Sequence, residues 1–171
     1  MKKKIIITGG LGYIGTEICK LYSGVSWHHQ IIVIDNRFIS ERVNQIRNWN
    51  MEFIQGDILD KNLINKHFKD ADVVHHLAGI TDVPRTKSES SVNQDTKIKE
   101  VGETGTQNIL DSISNKCKII FPSTHVVYEG IEDVKTDIQE NETTKPVLSY
   151  SSSKAVNVDQ LKKSGKNYII L

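Results

Sequence analysis

The sequence has almost no net charge, only two cysteines and no long apolar run, and each scarcity removes a class of function. Twenty-two lysines and arginines nearly balance 21 aspartates and glutamates, leaving a formal charge of +1. No broad field is available to hold nucleic acid or an anionic membrane, so a charged ligand must be gripped locally. Cys19 and Cys117 stand far apart and in no metal-ligand spacing, which fits two buried thiols in a reducing compartment and no metal site. Met1-Lys2-Lys3-Lys4 is followed by only three isoleucines, too short a run for a signal peptide, and no later stretch is long enough to cross a bilayer. A cytoplasmic protein is expected. Internal repeats and low-complexity linkers are also missing, and 171 residues suit one domain, residues 1–171, with a sizeable core.

What is present is an alternation of short β-branched runs and amphipathic segments. Ile5-Ile6-Ile7 and Ile31-Ile32-Val33-Ile34 read as strands buried on both faces. Further strands are expected at Met51–Gln55, Ala71–Leu77, Lys118–Phe121 and Tyr168–Leu171. Between them, Tyr13–Tyr22 is a predicted helix with Ile14, Ile18 and Leu21 at helical spacing. A polar helix is expected over Ser40–Trp49, and one marked by Leu59, Leu63, Ile64 and Phe68 has Asp60 placed as its cap. A polar stretch from Thr81 to Lys97 precedes a helix carrying Ile98, Val101, Gly105, Ile109 and Ile113 on one side. A charged loop, Glu129 to Lys145, leads to a last helix over Leu148–Lys163. Strand–helix alternation with doubly buried strands predicts an α/β fold, a doubly wound parallel sheet with right-handed crossovers.

The chemistry begins at Thr8-Gly9-Gly10-Leu11-Gly12-Tyr13-Ile14-Gly15. Gly10, Gly12 and Gly15 satisfy G-x-G-x-x-G, and the pattern directly follows a predicted strand and opens a predicted helix, the context that gives it meaning. Glycine lets the backbone turn tightly so that phosphate oxygens reach amides at the positive end of the helix. Asp35 closes the second strand about twenty residues later, the spacing of a carboxylate that accepts from an adenosine ribose diol and repels a 2′-phosphate. That points to NAD over NADP, although Arg37, two residues on, is placed to pair with a phosphate. Tyr150 and Lys154, at i and i+4, share one face of the last helix.

Taken in order, the glycine turn, Asp35, Gly56-Asp57-Ile58, His76-Leu77-Ala78-Gly79, Pro122-Ser123-Thr124 and Tyr150/Lys154 resemble the extended short-chain dehydrogenases/reductases. More narrowly, they resemble the NAD-dependent nucleotide-sugar epimerases and dehydratases, over essentially the whole chain. The resemblance implies a Rossmann sheet and a cofactor site formed by Gly9, Gly12, Tyr13, Ile14, Gly15, Asp35 and Asn36. It adds Asp57 and Ile58 at the adenine, Leu77, Ala78 and Gly79 at the inner ribose, and Tyr150 with Lys154 at the nicotinamide ribose. It also implies catalysis by Thr124, Tyr150 and Lys154, with Tyr150 as acid/base on a sugar hydroxyl. A neighbouring ammonium and a positive nicotinamide would draw the tyrosine towards phenolate.

Two positions depart from the family. Many 4,6-dehydratases carry an acid pair directly after the catalytic threonine, where this chain has His125 and Val126, which argues for an epimerase or ketoreductase. The family's asparagine ahead of Gly-Thr is replaced by Gly102. His75 and His76 are adjacent in a strand and face opposite ways, so they are expected to pack and not to share a metal; His28-His29 reads as loop. Such relatives continue into a smaller domain that holds the nucleotide sugar, and the sequence stops inside an apolar strand. A chain cut short of that domain is therefore expected, binding NAD weakly and turning over little, with an exposed sheet edge. A nucleotide-sugar partner and a homodimer through the helices around 98–113 and 148–163 are implied, and a non-catalytic NAD-sensing module is the rival from another class.

Overall fold

The computed structural model describes residues 2–81, 83, 86–132 and 135–171. Six parallel strands form one sheet in the order β3-β2-β1-β4-β5-β6. They are β1 (Lys4–Thr8), β2 (Gln30–Asp35), β3 (Glu52–Gln55), β4 (Val73–His76), β5 (Lys118–Phe121) and β6 (Asn167–Ile170). The helices are α1 (Tyr13–Ser23), α2 (Ser40–Asn48), α3 (Lys61–Phe68), α4 (Val92–Lys99), α5 (Gly105–Ser112) and α6 (Ser149–Lys163). This is the doubly wound α/β sheet of the Rossmann kind, in which the strand order reverses between β1 and β4.

The β-branched runs form central strands because both their faces are covered. Ile6, Ile32, Ile34, Val74, Ile119 and Phe121 pack against Ile64 and Phe68 of α3, Ile109 and Leu110 of α5 and Leu161 of α6. Ile5, Ile7, Ile31 and Val33 point the other way, onto Cys19 of α1 and Val43 and Ile46 of α2. Each such side chain taken out of water contributes about 1.5–3 kcal/mol, which outweighs the propensity of any short run. Asp60 caps α3 as its position predicts, accepting from the amides of Asn62 (2.9 Å) and Leu63 (3.2 Å).

Two expectations are corrected. The apolar spacing of Ile14, Ile18 and Leu21 marks the packed face of α1 only at Ile18: Ile14 is 56% and Leu21 81% exposed, whereas Gly15 and Cys19 are buried and Ile18 and Tyr22 pack half-buried against the same core. The helix expected to start near Ile98 starts at Val92, where Ser91 Oγ accepts from the Gln94 amide at 3.3 Å. Only Ile98 of α4 is buried, so the segment has almost no apolar stripe to read. A π-helical turn, Glu100–Thr104, joins α4 to α5. Residues 82, 84, 85, 133 and 134, in the two expected loops, lie outside the described residues.

Candidate active site

The glycine turn sits where β1 feeds α1. Gly9 has φ of +65°, and a Cβ there would lie 2.7 Å from the Ala78 amide nitrogen, so only glycine fits between β1 and the end of β4. A Cβ on Gly15 would lie 2.4 Å from the Gly9 carbonyl oxygen, which fixes α1 tightly on the turn. Gly12 is the N-cap of α1, and no side chain caps that helix, leaving its first amides directed at a cleft.

The cleft has a volume of about 920 Å³ and runs along the carboxyl ends of the strands, across the switch point between β1 and β4. Gly9, Gly12, Tyr13, Ile14 and Gly15 line its middle. Asp35, Asn36, Asp57 and Ile58 line one end, and Leu77, Ala78, Gly79, Tyr150 and Lys154 the other. Thr124 is not part of this wall. Pro122 and Ser123 face the cleft instead, while Thr124 Oγ1 accepts from the Val126 amide at 3.4 Å and opens a 3₁₀ turn, His125–Tyr128.

Asp57 is held between the Leu59 amide (3.0 Å to Oδ1) and the Asn36 side-chain amide (3.2 Å to Oδ2). Asn108 of α5 donates to the Ile58 carbonyl at 3.1 Å, fixing the same loop from below. Asp35, expected to offer its oxygens to a ribose, is fully engaged. Oδ1 accepts from the Arg37 amide (3.0 Å) and Nε (3.1 Å), and Oδ2 from the Leu11 amide (3.0 Å) and Arg37 Nη2 (3.2 Å). The carboxylate raises the pKa of Arg37 above its ordinary value, chiefly through these hydrogen bonds.

Beneath the other end lies a buried polar chain. Thr8 Oγ1 accepts from the amides of Leu77 and Ala78, both at 3.1 Å, and lies 2.9 Å from His76 Nδ1. With both lone pairs taken, the Thr8 hydroxyl donates to Nδ1, which assigns the Nε2–H tautomer and makes Nε2 the donor to Thr106 Oγ1 at 2.9 Å. Burial, with help from the Lys154 charge, pushes the His76 pKa down to about 3, so the ring is neutral. His75 faces the opposite side and meets the Tyr22 hydroxyl at 2.9 Å. Among the described residues no group of three potential ligands could hold a metal.

Lys154 Nζ donates to the Pro122 carbonyl at 2.9 Å, sits 4.4 Å from the centroid of Phe121 and lies 5.9 Å from that of Tyr150. Burial brings its pKa down to about 8. The expected lowering of the Tyr150 pKa is absent in this state: burial raises it, because the ammonium is turned to Pro122 and the ring is half-buried. Ser153 fills the space that Gly102 leaves open, since a Cβ at Gly102 would lie 2.2 Å from Ser153 Oγ, and the Asn157 amide of α6 donates to the Gly102 carbonyl at 3.0 Å.

Sequence reasoning missed the contribution of α4 and the π turn, whose Gln94, Lys97, Glu100 and Val101 line the cleft, and that of Arg42 from α2. The pair Ser91-x-x-Gln94 was the available signal, a capping-box spacing at a helix start.

A family model described as the 3-beta hydroxysteroid dehydrogenase/isomerase family matches residues 6–169. The chain belongs to that family. The chain is 35% identical over 130 residues to a UDP-N-acetyl-alpha-D-glucosaminuronate decarboxylase of Bacillus cytotoxicus, spanning 75% of this chain and 38% of that protein. It is 32% identical to a putative UDP-glucose 4-epimerase of Methanocaldococcus jannaschii, over 96% of this chain and 52% of the relative. The UDP-glucose 4-epimerase of Brucella ovis, solved in complex with NAD, is 26% identical with a TM-score of 0.76, over 98% of this chain and 50% of that one. The Bordetella bronchiseptica enzyme WbmH shares the fold at a TM-score of 0.81 and 24% identity, over 100% of this chain and 55% of that one. The chain therefore spans about half the length, or less, of these relatives. The resemblance to NAD-dependent nucleotide-sugar epimerases and dehydratases is borne out.

Proposed function

We propose that this chain is the cofactor-binding and proton-transferring portion of an NAD-dependent nucleotide-sugar epimerase. The observation that carries the reading is that Tyr150 and Lys154, one turn apart on α6, line the same cleft as the glycine turn. The residues fit a dinucleotide: a glycine cradle that a Cβ would fill, uncapped amides of α1, and polar groups at both ends. NAD is supported by the NAD complex of the Brucella ovis epimerase. A cytoplasmic setting is supported by Cys19 and Cys117, both free thiols. Among the described residues no helix is long and apolar enough to cross a membrane.

In this reading the α1 amides take the pyrophosphate, Asp57 and Ile58 the adenine, and Leu77-Ala78-Gly79 the inner ribose. Lys154 turns from the Pro122 carbonyl to the nicotinamide ribose. NAD, when bound, supplies a reversible acceptor for the hydride of a sugar carbon. Tyr150 Oη, drawn to phenolate by the nicotinamide charge and by the Lys154 ammonium once it has turned, receives the hydroxyl proton of that carbon and returns it after the keto sugar has presented its other face. Thr124, by turning its hydroxyl from the Val126 amide, donates to the same sugar oxygen. His125 and Val126, where an acid pair would serve elimination, favour epimerisation over 4,6-dehydration.

The test is Tyr150→Phe in the full-length protein. Sugar turnover is expected to fall by about 10²-fold or more while NADH binding stays within twofold or so. Unchanged turnover would remove Tyr150 from the chemistry; an unchanged biological output with no sugar turnover in wild type would favour a sensing module. Net accumulation of NADH during turnover would point to a dehydrogenase of the same family.

A further inference from the structure

At the end of the cleft lined by Asp35, an arginine fork already occupies the carboxylate that an unphosphorylated ribose calls for. Asp35 is only 5% exposed, and the four hydrogen bonds it accepts fill the lone-pair positions a carboxylate offers. Two come from backbone amides and are fixed. The other two come from the Arg37 fork, which lies at the surface with 56% of its side chain exposed. A ribose diol finds no acceptor on Asp35 until that fork swings away. Arg42 reaches the same wall from α2, its Nη1 donating to the Leu11 carbonyl. Two guanidiniums thus stand with two carboxylates, Asp35 and Asp57, at this end of the cleft, and their formal charges balance.

We propose that this end of the cleft also accepts an adenine dinucleotide that bears a 2′-phosphate, and that Arg37 is the residue that decides. The inference rests on the dinucleotide reading of the cleft. A bare Asp35 would repel a phosphate dianion, but Arg37 already neutralises it. Nη1 of Arg37 makes no hydrogen bond among the described residues, so its two N–H groups remain for phosphate oxygens while Nε and Nη2 stay on Asp35. Guanidinium is suited to such forked contacts with a planar or tetrahedral oxyanion. The unphosphorylated cofactor must displace the fork to reach Asp35; the 2′-phosphorylated one binds with the fork in place. Arg42 adds a second cation to the same wall.

The experiment is a fluorescence titration of the chain with NADH and with NADPH, for the wild type, Arg37→Ala and Arg37→Lys, with thermal unfolding as the control for folding. In the wild type the two dissociation constants are expected to lie within about tenfold of each other, a difference of one charged contact or less. Arg37→Ala is expected to weaken NADPH by about tenfold or more and to leave NADH unchanged or tighter, because the competitor for Asp35 is gone. Arg37→Lys, which keeps the charge and loses the fork, should fall between. A wild-type preference for NADH beyond about tenfold, or an affinity ratio that Arg37→Ala leaves unchanged, overturns this inference and leaves the dinucleotide reading standing. Binding of neither nucleotide overturns both.

Discussion

Two bases, buried His76 and half-buried Lys154, lie against Phe121, and desolvation pushes both towards neutrality. For His76 the folded pKa of about 3 lies below the usual 6.5, so between those values the unfolded chain holds the extra proton. Stability is therefore lost as pH falls from 6.5 towards 3, by about 1.4 kcal/mol per unit from this group. Urea unfolding at pH 7 and pH 5 should differ by about 2 kcal/mol through His76, and His76→Gln, whose amide can still bridge two threonines, should flatten that difference. An equal acid loss in the variant would place the proton elsewhere. Lys154 works in the range where enzymes are assayed. Below its pKa of about 8 it is an ammonium able to grip ribose oxygens, and above it the charge is lost. NADH affinity is expected to weaken by about threefold or more from pH 7 to 9.5, and Lys154→Met should remove the slope. A wild-type profile that stays flat would take Lys154 out of the ribose grip.

At the scale of elements, α6 is the one whose placement matters most, and it is pinned at its start by a residue far from it in sequence. Glu129, just past the 3₁₀ turn that begins at Thr124, accepts from the amides of Val147 and Leu148, both at 2.8 Å, and from the Ser151 hydroxyl. One carboxylate therefore ties the Thr124 turn to the helix of Tyr150, across the loop between them. Glu129→Ala should destabilise the fold by about 1 kcal/mol, the usual worth of a helix cap, and speed hydrogen exchange in the first turn of α6. Glu129→Gln, which retains an acceptor, should restore most of the protection; no change in either variant would show the contact to be idle. Nothing in the sequence announces this tie, since Glu129 looks like any loop carboxylate. The same holds for α4, whose exposed residues leave Ile98 as the single buried position. Elements with a strong apolar code, such as β1, β2 and α5, were legible because burial on the sheet dictates their composition. The glycine turn was legible for a different reason: its backbone comes too close to Ala78 and Gly10 for any side chain. The Arg37–Asp35 fork and the hydroxyl of Thr124 were not, because both depend on a rotamer that no spacing encodes.

For the molecule as a whole, the sheet gathers residues from the two ends of the chain into one cleft. The glycine turn follows β1, Asp35, Asn36, Asp57 and Ile58 follow β2 and β3, and the end lined by Leu77, Pro122, Tyr150 and Lys154 comes from β4, β5 and α6. The fold class follows from the alternation of elements and the handedness of crossovers, whereas the strand order does not, since doubly wound sheets of more than one order obey both. Which half-buried polar groups face one another across the switch point does not follow either, since that requires the sheet to be assembled first.

That assembly has a price in time. Every pairing in the sheet is parallel, so none can begin as a hairpin, and β1 meets β4 only after two strands and three crossover helices have intervened. The centre of the sheet is thus the contact most distant along the chain, and the Thr8–His76 hydrogen bond is among the last that can form. Refolding should be slow, in about the millisecond-to-second range, with the cleft completed late. In stopped-flow refolding from urea, binding of the dinucleotide should trail the recovery of helical signal. Simultaneous recovery would mean that β1 and β4 find each other before their crossovers are formed.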